Sequence, residues 1–159
     1  MNIFKLFARK KPDYESLDVG MFYNKNHDAF IKVYGEVIQA FRTNNLDNIL
    51  NSQIESIGLK KEHRVLDAGC GVCGPARYFA KNTGCTIDAV TISQVQHDTS
   101  KNHIQQESLQ DKITVHLKDY HEVDKLFPKE NFDIVYFLES FGHSNQKEKL
   151  LKAIWKVLK

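Results

Sequence analysis

Over residues 28–41 the apolar positions Phe30, Ile31, Val33, Tyr34, Val37, Ile38 and Phe41 recur at spacings of three and four, the period of a helix with one face on a core. A second helix is predicted on Leu46, Leu50, Ile54 and Ile57. Asn44 or Asn45 is placed to cap its start, and Gly58 to end it in a left-handed conformation. The period then changes. Residues 63–67 form a short extended run that leads into Ala68-Gly69-Cys70-Gly71-Val72-Cys73-Gly74. A helix follows from Pro75, where a missing amide costs no hydrogen bond. Gly84 stops that helix, residues 85–92 read as a second strand, and Ser93 caps a polar, solvent-facing helix running to about Leu109. Residues 112–117 and 132–138 are two further strands. Asn145 or Gln146 opens a last helix with Leu150, Leu151, Ile154, Trp155 and Leu158 on one side. Strands alternating with helices imply an α/β fold, doubly wound about a parallel sheet.

Composition narrows the classes. Of 159 residues, 42% are hydrophobic and 26% charged, enough apolar material for a core and too much for wholesale disorder. The longest apolar run, 134–138, falls far short of the roughly 18 to 20 residues of a membrane-spanning helix. A net charge of +2, spread along the chain, offers no strong field for a polyanion, so nucleic acid is not an expected partner. Three cysteines do not make a disulfide framework, and no secretory signal is read ahead of them. A reducing cytoplasm is the expected location. Residues 1–20 read as a basic, flexible tail. Within residues 1–11, Ile3, Phe4, Leu6 and Phe7 among Lys5, Arg9, Lys10 and Lys11 would form a short amphipathic contact with a membrane surface; the plainer reading is a frayed end.

The residues that carry chemistry cluster after the first strand. Gly69, Gly71 and Gly74 spell GxGxxG between strand and helix, where bare backbone can approach a nucleotide at a helix N-terminus. A dinucleotide site would place an acid about twenty residues further on. The end of the second strand offers Thr91 and Ile92 instead, which argues against nicotinamide. Asp67, two residues before the first glycine, is placed to meet a cation such as an ammonium or sulfonium group. Cys70 and Cys73 also spell C-x-x-C, the pattern of a redox pair or half a zinc site, but there is no second pair. His97, His103, His116 and His121 lack a compact ligand spacing, so no metal site is expected.

VLDAGCGVCGPARYFA at 65–80 resembles the first motif of the class I S-adenosylmethionine-dependent methyltransferases. VTISQVQ at 90–96 resembles the second-strand segment of the cyclopropane-fatty-acid-synthase, tocopherol and sterol C-methyltransferase branch, which often has Thr then Gln where others use an acid. The resemblance implies a Rossmann-like sheet and S-adenosylmethionine as cofactor. It places Asp67, Gly69, Cys70, Gly71 and Ile92 around the donor, with Thr91 and Gln96 as candidates for its ribose. Leu117-Lys118-Asp119-Tyr120 resembles the adenine-contacting turn, making Asp119 an acceptor for the adenine amino group, with Tyr120 beside it. FDIVYFLESFGH at 132–143 resembles the fourth strand and the loop beyond, which sets Glu139 and His143 over the site as catalytic candidates, Glu139 also bordering the cofactor. FYNKNHDAF at 22–30 resembles the substrate-side cap and makes Tyr23 a cofactor-site candidate. Residues 21–60 then form a helical cap and 61–159 a donor-binding half-domain, with sheet order 3-2-1-4.

The family pattern continues past Lys159 into a Pro-Gly-Gly turn and three more strands, so the fourth strand is expected as an exposed edge that self-associates or pairs with a partner chain. The implied function is transfer of a sulfonium methyl to a small or lipid-like acceptor, with carbon as one acceptor atom. Glu139 would then stabilise or deprotonate a carbocation. The alternative is a catalytically incompetent remnant that binds the nucleotide or docks on a partner.

Overall fold

A computed structural model describes residues 15–37 and 45–159. Residues 1–14, with the basic and aromatic segment 1–11, lie outside the described residues, as do Ile38, Phe41 and Asn44.

The first helix, α1, spans Ser16–Tyr34, starting twelve residues before the periodic run. Asp18 returns its carboxylate to the Glu15 amide at 2.8 Å, a local bond that starts the helix independently of any stripe. Residues 16–20, read from composition as tail, therefore belong to α1. The helix stops at Gly35, whose φ of +65° breaks it before Val37. Its expected core face is also thinner than the pattern implied. Gly20 is the buried residue of α1, whereas Val33 is 62% exposed. α2, Leu46–Ile57, follows the sequence reading, with Asn45 accepting from the Asn48 amide at 3.2 Å and Gly58 left-handed at the end.

Four parallel strands form one sheet in the order β3-β2-β1-β4: β1 Arg64–Ala68, β2 Thr86–Thr91, β3 Ile113–Leu117 and β4 Ile134–Tyr136. Connecting them are α3 (Gly74–Thr83), α4 (Gln94–Gln106), the one-turn α5 (Val123–Leu126) and then α6 (Lys147–Val157). α5 and the 3₁₀ turn before it, Tyr120–Glu122, are too short to leave a periodic signature. Alternate residues of β1 serve two cores. Val65 packs with Leu50, Phe79, Ile87 and Ile104, and Leu66 with Val90, Phe132, Leu150 and Val157. Both faces of the sheet are thus covered by helices, as a parallel sheet requires.

Two expectations at the C-terminal side change. β4 has three strand residues rather than seven, and its start is not bare, because Phe132 forms a parallel bridge with Leu158 and accepts from the Lys159 amide at 2.9 Å. On α6 the buried residues are Leu150, Ala153, Ile154 and Val157, while Leu151 and Trp155 are 51% and 79% exposed. The face toward the sheet passes through 150, 153, 154 and 157, and a residue one step further along turns away from it.

The loop after β1 is fixed from two sides. The amides of Gly69 and Cys70 both donate to the Val90 carbonyl, at 3.0 and 2.9 Å, which folds the loop over the end of β2. Gly69 has a φ of +98°, and a Cβ there would lie 2.4 Å from Cβ of Ser140 in the loop after β4. Replacing Gly69 with Ala should therefore cost about 2 to 4 kcal/mol in urea unfolding, combining left-handed strain with overpacking. Repeating the substitution in a Ser140→Gly background should recover part of the loss; an equal loss in both backgrounds would leave backbone strain as the whole effect.

Candidate functional site

The β1–β2 connection packs α3 on one face of the sheet and the β3–β4 connection packs α5 on the other, so the chain reverses direction between β1 and β4 and a crevice opens at the carboxyl ends of the strands. A cleft occupies this position, and all twelve residues singled out from the sequence line it. Asp67, Gly69, Cys70 and Gly71 come from the end of β1 and its loop. Thr91, Ile92 and Gln96 come from the β2–α4 turn, and Asp119 and Tyr120 from the end of β3. Glu139 and His143 descend from the loop after β4, and Tyr23 reaches in from α1.

Asp67 is the chemical centre of the floor. Its residue is 2% exposed, and burial raises its pKa to about 7. Tyr136 stands opposite it in the β1–β4 register, and its hydroxyl pulls that pKa down without making a hydrogen bond of standard geometry. Burial and Asp67 in turn hold the Tyr136 hydroxyl well above its usual range. Among the described residues Asp67 has no cationic partner, so a cation entering the cleft would supply the charge that a buried carboxylate needs.

Gly71, with φ +56°, has nothing within 4 Å of where a Cβ would sit, so its backbone faces open space. Ser100 on α4 holds the loop from behind by donating to the Gly71 carbonyl at 3.3 Å. Cys73 takes a left-handed conformation as N-cap of α3. Cys70 and Cys73 are buried free thiols, and their mutual contact together with burial pushes the Cys70 thiol up. That keeps the sulfur protonated, which favours two small side chains packed beside the cleft over a redox pair or a zinc site.

At the β2 corner, Thr91 Oγ1 accepts from the Ser93 amide at 3.2 Å and donates to Gln96 Oε1 at 2.9 Å. Gln96 lines the cleft, and with its oxygen engaged by Thr91 its NH₂ is the group with hydrogen bonds to donate. At the opposite rim Tyr23 Oη lies 2.8 Å from His143 Nε2, and the two rings meet edge to face at 5.5 Å. Burial lowers the His143 pKa, which leaves the imidazole neutral at neutral pH. Burial, then the Glu139 charge, raises that of Tyr23. Glu139 itself is exposed and holds a φ of +58°, an uncommon conformation for a side chain with a Cβ.

Several contributors escaped the sequence reading. Asn24 of α1 accepts from Ser93 Oγ at 2.6 Å and from the Val95 amide at 3.3 Å, so the cap helix itself closes the N-terminus of α4. Glu36 lines the cleft and pairs with Arg77, a buried α3 side chain that also pairs with Glu107. Gly74 makes this approach possible, since a Cβ there would lie 2.1 Å from the Glu36 carbonyl oxygen. The third glycine of the motif was a usable signal for close packing; Asn24 and Glu36 left none.

Residues 65–159 match the methyltransferase domain family. A sterol 24-C-methyltransferase of Gibberella zeae is 36% identical over 104 residues, covering 65% of this chain and 27% of that protein. A sarcosine/dimethylglycine N-methyltransferase of Aphanothece halophytica is 34% identical over 96 residues, covering 60% of this chain and 34% of its own length. The chain thus spans about a quarter to a third of these relatives. Among solved structures, the [4+2]-cyclase SpnF superposes with a TM-score of 0.83 at 22% identity, over 93% of this chain and 58% of the cyclase, a likeness of fold.

The raised pKa of Asp67 has a measurable consequence. In the unfolded chain this carboxyl loses its proton near the ordinary 3.8, and in the folded protein near 7. Its contribution to stability is present below the lower value and is lost as pH rises through the upper one. Urea unfolding of the wild type and Asp67→Asn should show the difference shifting toward the variant by roughly 2 to 3 kcal/mol between pH 5 and pH 8. A pH-independent difference would mean that Asp67 titrates normally.

Proposed function

The chain belongs to the methyltransferase domain family, and we propose that its cleft binds S-adenosylmethionine for methyl transfer to a small or lipid-like acceptor, carbon included among the acceptor atoms. The observation that carries this reading is the buried Asp67 carboxyl at the end of β1, with no cationic partner among the described residues and with the bare backbone of Gly71 nearby. When bound, the cofactor supplies an electrophilic methyl on a positively charged sulfur.

The residues present fit such a ligand. Asp67 would take its ammonium group, the Gly69–Gly71 backbone and Cys70 would lie along it, and the Gln96 amide with Thr91 and Ile92 would face the ribose. Asp119 would accept from the adenine amino group with Tyr120 alongside. Tyr23 and Glu139 complete the rim. The cap, residues 21–60, then shapes the acceptor side, and 61–159 holds the donor. Holding donor and acceptor together with water excluded supplies several kcal/mol of barrier lowering. The neutral His143 imidazole, bridged to Tyr23, is placed to receive a proton from the acceptor, and Glu139 to stabilise a developing positive charge. A carbon methyltransferase and an N-methyltransferase are similar to this chain over 65% and 60% of its length, which supports reading acceptor choice as a property of the cap and the rim rather than of the donor-binding core. Three free cysteines support a cytoplasmic setting.

A second reading, a non-catalytic remnant that binds nucleotide or docks on a partner, draws on β4. Beyond Phe132 its outer edge has no strand beside it among the described residues, so that a second copy or another chain can add there.

Calorimetric titration of the folded chain with S-adenosylhomocysteine should show saturable 1:1 binding, weakened at least about tenfold in Asp67→Ala through loss of a charged hydrogen bond. A folded chain that binds nothing would sink the cofactor reading. Methyl transfer to any acceptor by the same preparation would dispose of the remnant.

A further inference from the structure

Behind the cleft wall a chain of hydrogen bonds joins the loop after β3 to the start of α6, and the proposed chemistry gives its histidine and serine no task. Asp119 Oδ1 accepts from the His121 backbone amide at 2.9 Å and lies 2.6 Å from His121 Nδ1. On the other side of the ring, Nε2 lies 2.7 Å from Ser144 Oγ. Ser16, the first residue of α1, adds its Oγ 3.4 Å from the same Nδ1. His121 and Ser144 are 4% and 1% exposed.

The proton positions follow from the partners. The Asp119 carboxylate can only accept, so Nδ1 must carry a hydrogen to meet it at 2.6 Å. Nε2 of the neutral ring then accepts from Ser144 Oγ, whose oxygen accepts from the Gln146 amide at 3.1 Å. The order Asp-His-Ser is that of a hydrolytic triad, but its serine is sealed in protein and does not line the cleft. Asp119 is the member that does. Two bonds on one oxygen hold its carboxylate still, and although burial works the other way, the bonds from His121 and Ser16 keep its pKa at about 2. It therefore stays an acceptor at any ordinary pH.

We propose that His121, oriented by Ser144, is a positioning residue that fixes Asp119 as an acceptor-only group on the cleft wall, so that the site selects a purine bearing an exocyclic amino group over its 6-oxo counterpart. The inference rests on the reading of the cleft as an S-adenosylmethionine site. An amino group meets the carboxylate as a donor. A 6-oxo group sets acceptor against acceptor and leaves both unpaired in a partly dry site, the kind of mismatch that discriminates strongly.

The test titrates the full chain with S-adenosylhomocysteine and with its 6-oxo analogue, S-inosylhomocysteine. Wild type should prefer the amino form by at least about tenfold. His121→Asn places an amide nitrogen where Nδ1 stood and should keep the preference; His121→Phe fills the space without an N–H and should reduce it to about threefold or less. Should His121→Phe not fold, Ser144→Ala carries the comparison, with the ratio expected to fall by at least about threefold. A merely structural role would weaken both ligands in parallel and leave the ratio intact, which overturns the inference. So does equal binding of the two by wild type. Failure of wild type to bind either overturns the cofactor reading, and this inference with it.

Discussion

Ser140 occupies the space that a side chain on Gly69 would need, and its hydroxyl donates to the Ala68 carbonyl at 2.5 Å. This one approach locks the loop after β1 to the loop after β4. The first loop carries the open backbone of Gly71 and follows directly on Asp67 at the end of β1; the second carries Glu139 and His143. Floor and rim of the cleft are therefore built on a shared contact, and the positive φ of Gly69 is the condition for it. Strands β1 and β4 bring the two loops to the same end of the sheet through the pairings of Val65 with Ile134 and Asp67 with Tyr136.

Electrostatics then divide the cleft. At its centre Asp67 is buried with no cationic partner among the described residues, a cost that a cationic ligand would relieve. At its β3 side Asp119 is fully compensated by His121 and Ser16, and takes part as a fixed charge. The two carboxylates differ because burial dominates at Asp67, whereas a network of donors outweighs burial at Asp119. Their environments separate a group that responds to what enters from one that screens it.

Much of this was legible locally. The strand, glycine loop and helix over 64–83 could be read because glycine spacing, Pro75 and the change of period act over a few residues, and Asn45, Ser93 and Gly58 behaved as caps for the same reason. The resemblance in 65–80 and 90–96 named residues that the structure gathers in one cleft. What could not be read was any partnership between distant segments. Asn24 with Ser93, Glu36 with Arg77 and His121 with Ser144 are separated by 69, 41 and 23 residues, and none belongs to a periodic pattern. The α6 stripe misled for another reason. Leu151 and Trp155 are as apolar as Leu150 and Ile154, and hydrophobicity alone does not say which of two adjacent faces meets the sheet.

The shallow seat of α1 bears on access to the cleft. The helix supplies Tyr23 to the rim and Asn24 to the α4 cap, yet it buries only Gly20 and leaves Leu17, Met21 and Phe22 in solvent. An element with so little buried surface opens at a lower free energy than the sheet beneath it. Lifting α1 breaks the Tyr23–His143 bridge and uncovers the cleft while β1 and β2 stay paired. Opening of α1 would therefore uncover the cleft at a lower free energy than unfolding of the sheet.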